Sequence, residues 1–240
     1  MRLDRYLVAS GLAESRAKAK DLIQAGRVRV DGKVVKKPAF EVPEAARVEI
    51  EENEGYVGRG AHKLLGALAA FPVQVAGRVA VDVGASTGGF TQVLLEKGAR
   101  RVYALDVGHG QLHPSLLADP RVVAMEGVNA RTLASLPEPV ELATMDVSFI
   151  SSTLILPRLF DWLAPGGEAL ILVKPQFELG PGTHAGVVRD RALRQRALAR
   201  VRAAARGLSF VVRGEVESPL PGRAGNRETW LWLQKPPRGS

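Results

Sequence analysis

The spacing of apolar residues along the chain predicts a small mixed unit followed by a larger α/β domain. Within the first 50 residues, apolar positions three and four apart predict two short helices, one from Leu3 that ends at Gly11 and one over residues 16–25 that Ser15 caps. Two β-branched runs follow and flank Asp31-Gly32, a dipeptide typical of a tight hairpin turn. This part of the chain is therefore predicted to hold two helices and a β-hairpin.

Beyond residue 56, short apolar runs alternate with helical patterns, which is typical of a parallel sheet covered by helices. The predicted strands lie at 79–83, 101–105, 121–125, 142–149 and 169–173, with an antiparallel closing pair at 210–212 and 229–233. The predicted helices lie at 61–71, 90–97, 154–163 and 189–206, and the Gly- and Pro-rich segment 176–188 is predicted to be a loop. The expected fold class is α/β, with a doubly wound, Rossmann-like sheet that is mostly parallel, one antiparallel strand, and a small N-terminal α+β domain.

An acidic segment at 49–55 separates the two patterns. Its carboxylates would repel phosphates, so it is predicted to be a hinge rather than a binding surface. The expected division is 1–54 for the small domain with its linker and 55–240 for the larger domain.

The composition excludes several kinds of chemistry. The chain has no cysteine, which excludes disulfides, thiolate metal sites and a cysteine nucleophile. Its four histidines show no metal-ligand spacing, so no metal is expected. The charged residues at 1–5 and the lack of an apolar run near about 20 residues favour a cytoplasmic protein with no membrane partner.

The charge is unevenly distributed. The formal net charge is +8, and residues 1–50 hold 11 Lys and Arg against 7 Asp and Glu. About a fifth of the chain thus carries half of the excess, and a basic module of this kind favours a polyanionic partner such as nucleic acid.

The turn after the strand at 79–83 indicates which cofactor the domain binds. A dinucleotide-binding turn needs Gly-x-Gly-x-x-Gly, whereas Ser86 stands at the second glycine position here. The pattern Asp-x-Gly-x-x-x-Gly-Gly-Phe instead resembles the first motif of S-adenosylmethionine-dependent methyltransferases, and Asp106 follows Asp82 by 24 residues, the spacing that places a carboxylate over a ribose. The resemblance implies S-adenosyl-L-methionine as cofactor, held by Asp82, Gly84, Ala85, Ser86, Gly88, Gly89, Phe90, Asp106, Asn129 and Asp146.

The N-terminal 50 residues carry a second resemblance. The motifs Arg-Leu-Asp-x-x-Leu, Ser-Arg, Gly-x-Val-x-Val-Asp-Gly and Lys-Lys-Pro occur in the order found in the small RNA-binding module first seen in ribosomal protein S-four. In that family the second helix and the hairpin carry the RNA contacts. The resemblance implies RNA binding by Arg16, Lys18, Lys20, Arg27, Arg29 and Lys33.

Four further residues complete the resemblance. Lys63, Asp146, Lys174 and Glu228 match, in order and context, the catalytic set of the FtsJ-like RNA ribose 2′-O-methyltransferases. The flanks Arg-Gly-x-x-Lys-Leu, Asp-Val-Ser-Phe-Ile-Ser, Val-Lys-Pro-Gln-Phe-Glu and Gly-Asn-x-Glu are similar to the TlyA, or hemolysin-like, branch. The resemblance implies 2′-O-methylation of cytidine in ribosomal RNA, with Lys174 as general base; His62 is a departure in an otherwise matching helix start.

Other functions are excluded to different degrees. Carbon-5 base methylation normally needs a cysteine, and exocyclic-amine methylation normally needs a Pro-Pro-aromatic motif that Asp146-Val147-Ser148-Phe149 lacks. A non-catalytic RNA-binding or ribosome-assembly factor on a methyltransferase fold stays open. A membrane-lytic hemolysin finds no support, because no segment of the chain suits membrane insertion. The expected partner is ribosomal RNA or a ribosomal subunit, with no obligate protein partner evident.

Overall fold

The structure, a computed structural model, describes residues 1–51 and 55–239 in two compact units. The first unit is Met1–Gly58 and the second is Arg59–Ser240. Residues 52–54 of the acidic segment that was predicted to be a hinge lie outside the described residues. Within the described ranges, no helix combines the length and the apolar character needed to cross a membrane.

The first unit packs two helices on a three-stranded antiparallel sheet. Its elements are α1 (Leu3–Ala9), α2 (Arg16–Gln24), β1 (Val28–Val30), β2 (Lys33–Val34) and β3 (Val48–Ile50), with strand order β2-β1-β3. Asp31 and Gly32 have positive φ values of 48° and 78°, as the predicted hairpin turn requires. Ser15 caps α2 by accepting a hydrogen bond from the Lys18 amide at 3.1 Å. The strand β3 was not predicted, because its short run has no turn dipeptide such as Asp31-Gly32 beside it and merges with the acidic segment.

The second unit is a seven-stranded sheet with helices packed against it. Its strands are β4 (Val79–Val83), β5 (Arg101–Asp106), β6 (Val122–Glu126), β7 (Val140–Met145), β8 (Leu163–Val173), β9 (Val211–Glu217) and β10 (Thr229–Gln234). Its helices are α3 (Gly60–Ala70), α4 (Gly89–Glu96), α5 (Pro114–Leu117), α6 (Leu156–Trp162), α7 (Pro175–Glu178) and α8 (Arg191–Gly207), with a 3₁₀ turn at Ser152–Leu154. The strand order is β6-β5-β4-β7-β8-β10-β9; β10 runs antiparallel to both of its neighbours, and the other described strand pairs of this sheet are parallel. The predicted fold class is confirmed.

The register of the central strands brings their ends to one edge of the sheet. Val83 of β4 pairs with Met145 of β7, and Met145 pairs with Ile171 of β8. At its far side β8 pairs with β10, which begins at Thr229 opposite Val173. The residues that follow β7 and β8 and the residue that precedes β10 therefore lie along the same edge.

Two predicted boundaries at this edge differ from the structure. The strand predicted to reach residue 149 ends at Met145, and Phe149 instead has a φ of 63°. An extended strand cannot contain that left-handed conformation, so the chain turns away from the sheet after β7. The segment predicted to be a loop from residue 176 begins within the short helix α7, which Pro175 starts at its first position.

Candidate active site

The turn after β4 can be built only with glycine at two positions. Gly84 has a φ of 81°, and a Cβ there would lie 2.1 Å from the main-chain oxygen of Asp146. Gly88 has a φ of 104°, and a Cβ there would lie 2.1 Å from Leu116 Cδ1. Positive φ and close approach together exclude other residues. The turn is thereby packed directly against the residue that follows β7.

Asp82, the last residue but one of β4, lies beneath this turn and is completely buried. Its carboxylate accepts hydrogen bonds from Thr91 Oγ1 at 2.8 Å and from Thr144 Oγ1 at 3.2 Å. Burial raises the pKa of Asp82 to about 7, because removal from water disfavours the charged form more than the two hydroxyl groups favour it. Asp82 therefore ties β4 to α4 and β7 from below the turn.

Asp106, at the end of β5, connects the neighbouring strand to the same turn. Its Oδ2 accepts a hydrogen bond from the Ser86 amide and its Oδ1 from the Gly108 amide, each at 2.8 Å. Each carboxylate oxygen can accept a second hydrogen bond, so the half-buried group can still bind hydroxyls. Asn129 lies close by in space, because the amide of the residue before it, Val128, donates to the Asp106 main-chain oxygen at 3.0 Å.

Three other residues predicted to hold a cofactor, Ala85, Gly89 and Phe90, make structural contacts within the larger unit. The Ala85 amide donates to the Leu105 oxygen at 2.9 Å, which fixes the turn to β5. Gly89 begins α4, and the buried ring of Phe90 packs 5.4 Å from that of Trp230.

The structure arranges the four predicted catalytic residues as two ion pairs. Lys63 Nζ of α3 lies 2.7 Å from Glu228 Oε1, and the two residues are 7% and 1% exposed. Lys174 Nζ lies 2.5 Å from Asp146 Oδ1 and 3.3 Å from Ser148 Oγ. Glu228 and Lys174 sit one position beyond the Thr229–Val173 pair, so both ion pairs belong to the same edge of the sheet.

The main chain at the buried Lys63–Glu228 pair is also fixed by a hydrogen bond. Trp230 Nε1 donates to the Lys63 main-chain oxygen at 3.0 Å. Buried charges are tolerated when they are paired and hydrogen-bonded, and these contacts meet that condition. The edge therefore presents an amine, Lys174, whose direction is fixed by a carboxylate and which can take part in proton transfer.

A cleft beside this edge contains residues that sequence reasoning missed. It has a volume of about 530 Å³ and is lined in part by Phe149, Gln176 and Phe177. Phe149 is 92% exposed, and its ring centroid lies 5.1 Å from that of Phe177. Phe149 follows the end of β7, and Phe177 follows the end of β8 at the same spacing. This repeated aromatic position is the sequence signal that could have identified the two residues.

The predicted RNA-binding residues of the first unit fall into two groups. Lys18, Lys20 and Lys33 are exposed. The three arginines make contacts within the unit: Arg16 pairs with Asp4 at 3.3 Å, Arg27 donates to the Glu51 oxygen at 3.0 Å, and Arg29 donates to the Gly32 oxygen at 3.1 Å.

Asp4 itself is fully buried. The hydrogen bond from Arg2, with a further one from Arg16, lowers the pKa of Asp4 to about 2. The ion pair thus orders Arg16 while leaving its side chain about half exposed.

Comparison with known proteins gives matches over nearly the whole chain. Residues 56–235 match the FtsJ-like methyltransferase family and residues 1–48 match the S4 domain. The 16S/23S rRNA (cytidine-2′-O)-methyltransferase TlyA of Mycobacterium tuberculosis is 48% identical over 97% of this chain and 89% of its own length. Hemolysin A of Brachyspira hyodysenteriae is 40% identical over 95% of this chain and 97% of its own length. A solved structure of a hemolysin-named protein from Streptococcus thermophilus is 40% identical, with a TM-score of 0.78, covering 98% of this chain and 88% of that one.

Proposed function

The chain belongs to the FtsJ-like methyltransferase family, in the TlyA branch that adds an S4 domain, and from this premise we propose that it methylates the ribose 2′-hydroxyl of a cytidine in ribosomal RNA. The relative from M. tuberculosis bears that activity in its name. The methyl donor proposed is S-adenosyl-L-methionine, the cofactor implied by the turn after β4.

The two ion pairs at the sheet edge carry the proposal. Methylation of a hydroxyl needs a base, because an uncharged hydroxyl is a poor nucleophile. The edge supplies an amine at Lys174, held at 2.5 Å by Asp146, beside a second amine at Lys63. A non-catalytic RNA-binding protein would have no need for two oriented lysine–carboxylate pairs at the ends of buried strands.

The residues around the turn fit the methyl donor. The turn offers main-chain amides at the start of α4, where the helix dipole favours a carboxylate. Asp106 offers a carboxylate suited to paired ribose hydroxyls, and Asn129 lies near it in space. When bound, S-adenosylmethionine supplies an activated methyl group on a sulfonium centre. Asp82 is assigned the support of the turn from below, since its carboxylate is buried.

We assign the proton transfer to Lys174. In its neutral form, Lys174 Nζ would accept the proton of the 2′-hydroxyl, which would leave that oxygen able to take the methyl group that bound S-adenosylmethionine would supply. Asp146 directs the amine and stabilises the ammonium that forms. Lys63, directed by Glu228, stabilises the negative charge that develops on the ribose oxygen.

Access to the hydroxyl requires that the nucleotide leave its helix, at a cost of a few kcal/mol. The exposed ring of Phe149, backed by Phe177, offers a surface on which a splayed base can stack. The S4 domain supplies the affinity that offsets this cost. We propose that residues 1–54 grip the RNA and residues 55–240 carry out the chemistry.

The decisive experiment uses Lys174→Ala with Lys97→Ala, an exposed lysine of the same unit, as matched control. Transfer of labelled methyl groups to ribosomal RNA should disappear in the first variant and persist in the second, with cofactor and RNA affinity unchanged in both. The target nucleotide is first located by mass mapping of ribosomal RNA treated with and without the protein. An RNA with 2′-deoxycytidine at that position should then bind but accept no methyl group. Methylation of that deoxy substrate would identify a base atom as the acceptor and contradict the proposal.

A further inference from the structure

Phe149 has a main-chain conformation that its own side chain does not favour. Its φ is 63°, in the left-handed region that is strained for an aromatic residue, and its ring is 92% exposed. Strain of this kind persists only where the surrounding structure enforces it, and it is typical of functional sites. A change of φ at this residue would swing the ring away from its place in the wall of the cleft. Contacts on both sides of Phe149 are therefore needed to hold the ring there.

On its N-terminal side, the segment that contains Phe149 is tied to Lys174. Lys174 Nζ lies 2.5 Å from Asp146 Oδ1 and 3.3 Å from the Oγ of Ser148, the residue directly before Phe149. These contacts fix the start of the segment to the residue that follows β8. They do not hold the residues after Phe149, which need a contact of their own.

On its C-terminal side, the segment is held by Glu178, a buried residue of α7. Glu178 Oε1 accepts a hydrogen bond from the Ser152 amide at 2.7 Å, and its Oε2 accepts one from Ser151 Oγ. Arg200 of α8 donates to the Glu178 main-chain oxygen at 2.9 Å, so the part of α7 that carries the carboxylate is itself fixed. Each carboxylate oxygen thus holds one residue of the segment, two and three positions after Phe149.

Resting on the proposed function, we propose that Glu178 is a positioning residue, which holds Phe149 in its left-handed conformation and so keeps the ring where the splayed base stacks. Glu178 acts through Phe149 and not on the RNA, because its own side chain is buried. Phe177, whose ring lies 5.1 Å from that of Phe149, directly precedes Glu178, so one short helix supplies both the backing ring and the carboxylate. A ring that is fixed before the RNA binds need not be ordered during the reaction.

The expected kinetic effect is a loss of kcat with little change of KM. The S4 domain is assigned the grip on the RNA, whereas the stacking surface sets how much of the bound RNA has its target nucleotide splayed. Stacking on one aromatic ring changes such a population by about fivefold to a hundredfold. Glu178→Ala removes both hydrogen bonds and should lower kcat by a factor in this range.

The conservative change Glu178→Gln should restore most of the lost kcat. The amide oxygen of the new side chain can accept from the Ser152 amide, and its nitrogen can donate to Ser151 Oγ, because a hydroxyl group can also act as acceptor. Both ends of the contact are then kept without the negative charge.

The test combines Glu178→Ala with Phe149→Ala in a double-mutant cycle on the full-length protein. The measurements are kcat and KM for methyl transfer, and the fluorescence of a 2-aminopurine placed next to the mapped target, which rises when the target leaves the stack. Glu178→Ala alone should lower both kcat and the rise in fluorescence. In the Phe149→Ala background it should lower neither any further, although it should lower the melting temperature in both backgrounds.

A second variant keeps the test usable if Glu178→Ala folds poorly. Ser151→Ala removes only the hydrogen bond to Oε2, and the Ser152 amide still binds the carboxylate. It should give a smaller loss of kcat, which also disappears in the Phe149→Ala background. Ser135→Ala, at an exposed serine of the same unit, is the matched control and should behave as the wild type.

The failures of the two proposals are distinguishable. If Glu178→Ala lowers kcat by the same factor with and without Phe149, Glu178 only supports the fold, and the inference is overturned while the proposed function stands. The same result for Ser151→Ala overturns it where Glu178→Ala does not fold, and so does a wild-type kcat in Phe149→Ala. If the wild type transfers no methyl group to the 2′-hydroxyl, the proposed function and the inference fall together.

Discussion

Replacement of Asp82 by Asn should change how the stability of the larger unit depends on pH. In the unfolded chain an Asp ionises near its ordinary pKa of 3.8, whereas burial raises the pKa of Asp82 in the folded chain to about 7. The folded protein therefore holds a proton that the unfolded chain releases, so the contribution of Asp82 to stability is full below about pH 4 and falls as the pH rises toward 7. A shift of about three units corresponds to about 4 kcal/mol.

The asparagine that Asp82→Asn introduces has the shape of the neutral acid and can still hydrogen-bond to Thr91 and Thr144. The difference in unfolding free energy, Asp82→Asn minus wild type, should therefore rise by about 2–4 kcal/mol between pH 4.5 and pH 8. Denaturant titrations followed by tryptophan fluorescence report on this unit, because all three tryptophans, Trp162, Trp230 and Trp232, lie in it.

Subtracting the unfolding free energy of the wild type from that of the variant cancels the contributions of the other titrating groups, because both proteins contain them. Asp4, whose pKa is lowered to about 2, contributes stability that is lost only as the pH falls below about 4, and it lies in the other unit. A difference that stays constant from pH 4.5 to pH 8 would mean that Asp82 is ionised throughout, and it would refute the reasoning from burial.

Three further outcomes are expected. Gly84→Ala should destabilise the larger unit by about 3 kcal/mol or more, seen as a lowered melting temperature, because the new Cβ meets the Asp146 oxygen at 2.1 Å with no side chain able to move aside. Asp106→Ala should weaken binding of S-adenosylmethionine by about 1.5–3 kcal/mol in calorimetry, and an unchanged affinity would count against its placement at the ribose. Removal of residues 1–54 should leave cofactor binding intact while RNA affinity collapses and its salt dependence flattens, since released counterions set that dependence; full methylation of ribosomal RNA by the truncated protein at low concentration would contradict the assigned division of labour.

The sheet and the order of residues along its edge could be predicted because buried parallel strands leave a strong local signal. The run at Val79–Val83 is apolar apart from Asp82, and a glycine-rich turn follows it at once. Once such strands are located, parallel topology alone brings the residues after them to one edge. That reasoning was sufficient to group Asp146 with Lys174, although it gave no distance between them.

Features that depend on contacts between distant segments could not be predicted in this way. Phe149 has a left-handed conformation, and the chain just after it is held by Glu178 through Ser151. Glu178 lies 27 residues from Ser151 in the chain. A pattern of apolar residues carries no information about such a contact. The complete burial of Asp82 was hidden for the same reason, because its two hydrogen-bond donors come from α4 and β7.

The two ion pairs differ in what a substitution within them can reveal. Lys63 and Glu228 are almost fully buried and join α3 to the start of β10, so removing one partner leaves an uncompensated buried charge, a change that typically costs about 3–5 kcal/mol. Loss of activity at either position would therefore mix catalysis with folding. The side chains of Lys174 and Asp146 are 12% and 21% exposed, and water can solvate the group left behind. Lys174 is thus the position at which loss of methyl transfer can be attributed to the missing amine.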